Sequence, residues 1–181
     1  PETAVVMETK LKALMAELTK VRCKDATSKC LIFSQFQATL TWLQQMLPAH
    51  GCSFRTLTGK MTQKQRARAL RDFQEDPPTT VFLLSVRAGA VGINLTQANH
   101  VFILEPILNP ALELQAVGRV HRMGQQRHVY VTKFVMQNSV EERMLNLLNL
   151  QTSPEKTSSS GSSPTNGSGS CPQAADSSDN R

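Results

Sequence analysis

Apolar positions along this chain follow two rhythms. Between Met7 and Val21, the residues Leu11, Leu14, Met15, Leu18 and Val21 fall three and four apart, the spacing of one helical stripe. Three later runs are continuous instead: Cys30-Leu31-Ile32-Phe33, Val81-Phe82-Leu83-Leu84 and Val101-Phe102-Ile103-Leu104. Unbroken apolar runs of that length mark strands covered on both faces. Ser53 to Leu57 and Val129 to Val135 read as two further strands. Helical spacing returns between them at Phe36, Leu40, Leu43 and Leu47. Thr62 with Gln65 forms a capping box opening a helix through Phe73, and Ser139 with Glu142 caps a last helix through Leu148. Strands alternating with helices predict an α/β fold, a parallel sheet flanked by helices.

From about Thr152 the composition turns to Ser, Gly, Pro, Thr and Asn with almost no apolar residues. Such a stretch cannot bury enough surface to offset chain entropy, so a disordered C-terminal tail is expected. The chain therefore divides into a linker helix over 1–28, one α/β domain over 29–151 and the tail over 152–181.

No apolar run approaches the roughly 20 residues that span a bilayer, and the charged N-terminal helix is no signal peptide, so no membrane partner is expected. Pro1 stands where an initiator Met would, which makes the chain read as a piece of something longer. The four cysteines, Cys23, Cys30, Cys52 and Cys171, form no C-x-x-C pair and have no His at zinc spacing, which fits reducing surroundings. Net charge is +6, so a basic globular body suggests a polyanionic partner, nucleic acid before membrane.

Parallel sheets place their sites beyond the C-terminal ends of the strands. That rule selects Ser34-Gln35, Thr58-Gly59-Lys60, Ser85 to Leu95 and Glu105 to Pro110, the polar and glycine-bearing junctions. The segment from Ser85 to Leu95 carries Gly89 and Gly92, which allow a backbone to approach a ligand closely; the alternative is a tight turn that binds nothing. Asn109-Pro110 is a helix-start signature. On a helix begun there, Gln115, Arg119 and Arg122 would share one face at i, i+4 and i+7. Two planar, permanently charged guanidinium forks with little acid between them suit phosphate, although a solvated basic face has the same composition.

Together, Phe33-Ser34-Gln35-Phe36, Thr58-Gly59-Lys60, Ser85 to Leu95, Asn109-Pro110 and Gln115 to Gln125 stand in the order found in the second RecA-like lobe of superfamily-two helicases. Over roughly Met7 to Leu148 the chain resembles that lobe. The Asn-Pro block followed by Arg-x-His-Arg-x-Gly-Gln resembles the Swi/Snf-like branch of double-stranded DNA translocases. Glu105 to Pro110 with Gly118 to Arg122 most resembles its RING-bearing, SHPRH-type ubiquitin-ligase subgroup. The fold implied is a RecA-like parallel sheet. The resemblance implies that Arg122 is an arginine finger for the γ-phosphate of ATP, with Arg119 its partner and Gln115 holding it, and that Gly92 and Asn94 approach the nucleotide. It implies that Ser34, Gln35, Gly59, Lys60 and Ser85 contact a DNA backbone, which positions a protein without reading sequence. Val86, Ala90, Thr58, Lys60 and Leu108 depart from the family's usual Thr, Gly, Asp, Ser and Trp, and Gly118 from its common Asp.

No G-x-x-x-x-G-K-[ST] phosphate loop and no Asp-Glu pair after an apolar strand is present, so ATP with magnesium would be held mainly by a first lobe outside this chain. The expected partners are that N-terminal ATPase lobe, duplex DNA or chromatin, and ubiquitin-conjugating machinery reached through a RING elsewhere, all in the nucleus. Two other readings remain open: a lobe-like DNA- or protein-binding module without catalysis, and an RNA helicase.

Overall fold

In a computed structural model, residues 2–59, 61–77, 79–89 and 93–152 are described. The tail over 153–181 lies outside them, as do Lys60 and Gly92. The elements run α1 (Glu2–Lys24), β1 (Cys30–Ser34), α2 (Gln37–Ala49), β2 (Ser53–Thr56), α3 (Gln63–Glu75), β3 (Thr79–Ser85), α4 (Val86–Gly89), β4 (His100–Ile103), α5 (Pro110–Val117), β5 (Tyr130–Lys133) and α6 (Val140–Thr152). The five strands make one sheet in the order β2-β3-β1-β4-β5, every pair parallel. The alternation of strand and helix in the sequence thus yields the expected architecture.

Strand geometry explains why the central runs are apolar at every position. Successive side chains of β1 point to opposite faces, and both faces are covered. Leu31 and Phe33 join Phe82, Leu84, Val101 and Ile103 beneath α3 and α5, which contribute Ala69, Phe73 and Ala116. Cys30 and Ile32 join Val81, Leu83, Phe102 and Leu104 beneath α1 and α2, which contribute Leu11, Leu14, Leu18, Leu40, Leu43 and Leu47. Burying each such Leu or Phe contributes about 1.5–3 kcal/mol. The helical stripe of α1 is therefore part of the core. Burial pushes the Cys30 thiol up to about 12, so it stays protonated and behaves as a small apolar side chain.

The capping box of α3 forms as expected, with Thr62 Oγ1 accepting from Gln65 N at 3.3 Å and Gln65 Oε1 accepting from Thr62 N at 2.9 Å. At α6 the cap is displaced by one residue. Glu141 N donates to Ser139 Oγ at 3.1 Å, while Glu142 Oε2 accepts from Asn138 N at 2.7 Å. That helix continues past Leu148 to Thr152. β5 is shorter than the expected Val129 to Val135 and mostly exposed, because it is an edge strand. Its start is fastened to the α1–β1 turn by the Arg127–Asp25 ion pair. The hydroxyl and amide of Thr27 hold the Asp25 carboxyl at about 2. Among the described residues no helix is long and apolar enough to cross a membrane.

Candidate nucleotide and nucleic-acid interface

Because all five strands are parallel, the segments after them gather along one rim of the sheet. β1 leads away to one side, towards β2, and β4 leads to the other, towards β5, and the ends of strands that diverge in this way are where such sheets place a ligand. A buried carboxylate joins these two ends. Glu105 is 7% exposed; its Oε1 accepts from Ser34 Oγ at 2.9 Å and its Oε2 from Gln35 N at 3.1 Å. Gln35 Nε2 in turn donates to Pro106 O at 2.7 Å, so three bonds tie the loop after β1 to the loop after β4. Burial raises the Glu105 carboxyl above its ordinary value, against the lowering effect of the Gln35 amide and Ser34 hydroxyl.

This corrects the expectation for Ser34. The residue is 0% exposed, its hydroxyl is given to Glu105, and the same oxygen accepts from Phe36 N at 3.1 Å. Ser34 shapes the loop and does not face a ligand in this conformation. Gln35 is exposed beside it. Ser85, half-buried at the end of β3, stands opposite Ser34 in the strand register. Val86, where the resembled family has a hydroxyl, is 4% exposed and packs with Leu84, Leu95 and Ala98, which explains the apolar side chain.

At the rim beyond β2, Gly59 is exposed with nothing within 4 Å of where a Cβ would stand. Arg66 Nη2 reaches from α3 to Thr58 O at 3.5 Å and Gly59 O at 3.3 Å, fixing this loop against the helix. Lys60, beside it in sequence, lies outside the described residues.

The arginine segment differs most from expectation. Asn109 Oδ1 caps α5 by accepting from Ala111 N at 3.0 Å, and Pro110 occupies its first turn. The helix nevertheless ends at Val117, with Gly118 as its C-cap. Gln115 is on the helix, exposed, whereas Arg119 and Arg122 stand in the turns that follow. The one-face geometry at i, i+4 and i+7 is therefore wrong for both arginines. Tight turns replace the helix: Val120 N donates to Val117 O at 2.9 Å, Arg122 N to Val120 O at 3.0 Å, and Gln125 N to Arg122 O at 2.9 Å. Gly124 closes the series at φ +98°, a conformation that glycine adopts freely.

Three contacts hold those turns in place. Val120, between the arginines, is 0% exposed and packs with Leu95, Ala98, Ile107 and Ala116. Leu95 N donates to Arg119 O at 3.1 Å, joining the arginine turn to the segment after α4. Gln125 Nε2 donates to Ala98 O at 2.8 Å and Thr96 O at 3.0 Å. Asn94, in that same segment, is exposed; its Oδ1 accepts from Thr96 N at 3.3 Å and its carbonyl from Gln74 Nε2 at 3.4 Å. The structure thus brings Asn94 and Arg119 into one bonded unit with Arg122 exposed on the following turn. Gly92 lies outside the described residues.

The sequence selects Glu105 only as the first residue of a polar junction, and Val120 and Gln125 only as members of the arginine segment, with no role of their own. An acid directly after a buried apolar run was a usable signal for Glu105. Nothing local marked the contacts of Gln125, whose partners lie 27 and 29 residues away. Among the described residues no group of three or more His, Cys, Asp or Glu could hold a metal ion.

Comparison with known proteins agrees with this geometry. The model of the helicase conserved C-terminal domain matches residues 9–124. The chain is 46% identical over 136 residues to the DNA repair protein RAD5 of Gibberella zeae, covering 75% of this chain and 12% of that protein. It is 44% identical over 142 residues to the mouse helicase-like transcription factor, covering 77% of this chain and 14% of that one. Among solved structures, the C-terminal part of the Fun30 ATPase domain superimposes with a TM-score of 0.72 at 36% identity, covering 77% of this chain and 44% of that one. The RecA-like expectation for the sheet is borne out. The chain spans only about an eighth of the length of the full relatives it matches.

Proposed function

Since this chain belongs to the helicase conserved C-terminal domain family, as a RecA-like lobe of the Swi/Snf-like kind, we propose that it is the second ATPase lobe of an ATP-driven translocase on double-stranded DNA. Its task is to complete a nucleotide site whose triphosphate and magnesium are held mainly by the preceding lobe of the same protein. Arg122 is the arginine finger and Arg119 its partner, with Gln115 at the end of α5 supporting them and Gly92 and Asn94 bordering the nucleotide. Charge that develops on the transferred phosphoryl group is neutralised by a guanidinium delivered when the lobes close, an effect of about 10³–10⁵ in rate. Gln35, Gly59, Lys60 and Ser85 hold the DNA backbone along the rim, and Ser34 serves by orienting Gln35. Such contacts go to phosphates, so binding is independent of sequence and falls steeply with salt.

The observation that carries this reading is the pinned arginine turn. Val120 is driven into the core between two arginines while Leu95 and Gln125 fix the backbone on either side. A solvated basic face needs no such anchoring. The relatives, a DNA repair protein and a helicase-like transcription factor, support action on DNA or chromatin in the nucleus. The resemblance of Glu105 to Pro110 and Gly118 to Arg122 adds the RING-bearing subgroup to this reading, in which a RING elsewhere in the protein would engage ubiquitin-conjugating machinery.

The test uses the complete two-lobe protein. Arg122→Ala is expected to abolish DNA-stimulated ATP hydrolysis, a loss of about 10³-fold or more, while duplex binding stays intact. Unchanged hydrolysis would leave the arginines without a catalytic task and favour a binding module. Stimulation by single-stranded RNA in place of duplex DNA would move the chain to the RNA helicases.

A further inference from the structure

The outer face of α3 takes no part in the reading above. Lys64, Arg68 and Arg71 stand at i, i+4 and i+7 and form one exposed stripe. Among the described residues none of the three has a side-chain ion-pair or hydrogen-bond partner; of the nearby acids Asp72 and Asp76 are engaged elsewhere, and Glu75 is exposed one turn beyond Arg71. Asp72 accepts from Arg55 Nε at 3.0 Å, and Asp76 lies 3.7 Å from Arg55 Nη2. For the stability of the helix this arrangement is unfavourable. Like charges three and four residues apart repel, and Lys64 sits in the first turn, where the helix dipole prefers an acid and none is present.

Position gives the stripe its use. β2 is the edge strand, and α3 starts at the rim directly beyond it. The loops after β4, β1, β3 and β2 lie along that rim in this order, so a backbone tracking across them towards the β2 edge meets Thr58-Gly59 and then α3. Arg66 fastens that loop to the helix, which makes loop and stripe a single surface. A shallow depression of about 490 Å³ runs beside it, lined by Thr62, Lys64, Gln65, Ala67, Arg68 and Arg71 and by Asp72, whose carboxylate is engaged by Arg55.

We propose that Lys64, Arg68 and Arg71 extend the phosphate track of the lobe past the edge of the sheet, engaging DNA backbone beyond the rim loops. The proposal rests on the DNA-translocase reading. An acidic protein segment would answer the same charges, but a regularly charged backbone already led along the rim is the occupant that the position favours. The stripe covers roughly 10 Å along the helix axis, room for successive phosphates.

In the complete two-lobe protein, K64Q/R68Q/R71Q is expected to lower the slope of log affinity for duplex DNA against log salt by about 2–3, since each phosphate contact contributes about 0.9. Its thermal midpoint should hold or rise, because repulsion within α3 is removed. R68K/R71K should keep the slope, since counterion release needs only the charge. An unaltered slope in the triple variant would overturn the proposal. So would an equal loss in the Lys variant, or a triple variant that binds duplex normally but fails to bind polyglutamate. The parent reading is judged separately, by ATP hydrolysis in Arg122→Ala. Normal hydrolysis there sinks the translocase whatever the stripe does.

Discussion

Glu105 is where burial and charge conflict most sharply in this lobe. A carboxylate that is 7% exposed is costly to ionise, yet the Ser34 hydroxyl and the Gln35 amide both donate to it. Burial is the larger effect, and the group is raised above its ordinary value. An acid raised on folding contributes stability that is fully present below its unfolded value of 4.5 and is lost as pH rises through the folded value. Glu105→Gln mimics the neutral form and has no such loss. The difference in denaturation midpoint between variant and parent should therefore shift in favour of the variant as pH rises from about 4 to about 7. A gap that stays constant across that window would show that the carboxyl does not titrate there. At the same scale Val120 works by volume alone. It is fully buried between Arg119 and Arg122, so its packing sets where both of them emerge.

Among the elements, α5 and the turns after it divide what was legible in the sequence from what was not. The Asn109-Pro110 start was readable because capping is local, and the strands were readable because β1, β3 and β4 are apolar at each alternate face. The C-terminal limit of α5 was missed although Gly118 marked it, because glycine inside a helical pattern can be either a cap or an interior residue. What decides the matter is tertiary: Val120 is drawn into the core and Leu95 N captures Arg119 O. Ser34 was misread for a related reason, since its polar side chain suggested a ligand and its actual partner is an acid 71 residues away. Gln125 holds the turn from the far end, and Gln125→Ala should destabilise the lobe by about 1–3 kcal/mol through carbonyls left unpaired. In the two-lobe protein the same change should depress ATP turnover more than DNA binding, because the arginine turn loosens while the rim beyond β1 and β2 is untouched. Equal losses in both assays would mean that the turn and the rim are not separable.

Among the described residues, the exposed large apolar side chains fall into two groups, one on β5 and α6 (Tyr130, Val131, Val140 and Leu147) and one beyond the central strands. Phe36 at 58%, Leu108 at 59%, Leu114 at 73% and Met123 at 98% exposure all lie in segments beyond the C-terminal ends of β1 and β4. Those are the segments that carry the proposed catalytic and DNA-facing groups, so this side of the lobe is built to be covered. Leu108, where the resembled family has Trp, keeps the apolar character at that position. A lobe that closes on a partner with each turnover needs such a surface, and its cost is borne when the partner is missing. Phe36→Ser with Leu108→Ser should accordingly raise the solubility of the isolated lobe without lowering its thermal midpoint, since neither side chain belongs to the buried clusters. In the two-lobe protein the same pair should reduce ATP hydrolysis, because closure loses apolar contact while Arg119 and Arg122 remain in place. Hydrolysis at the parental level would show instead that the lobes meet elsewhere and that the apolar side belongs to another partner.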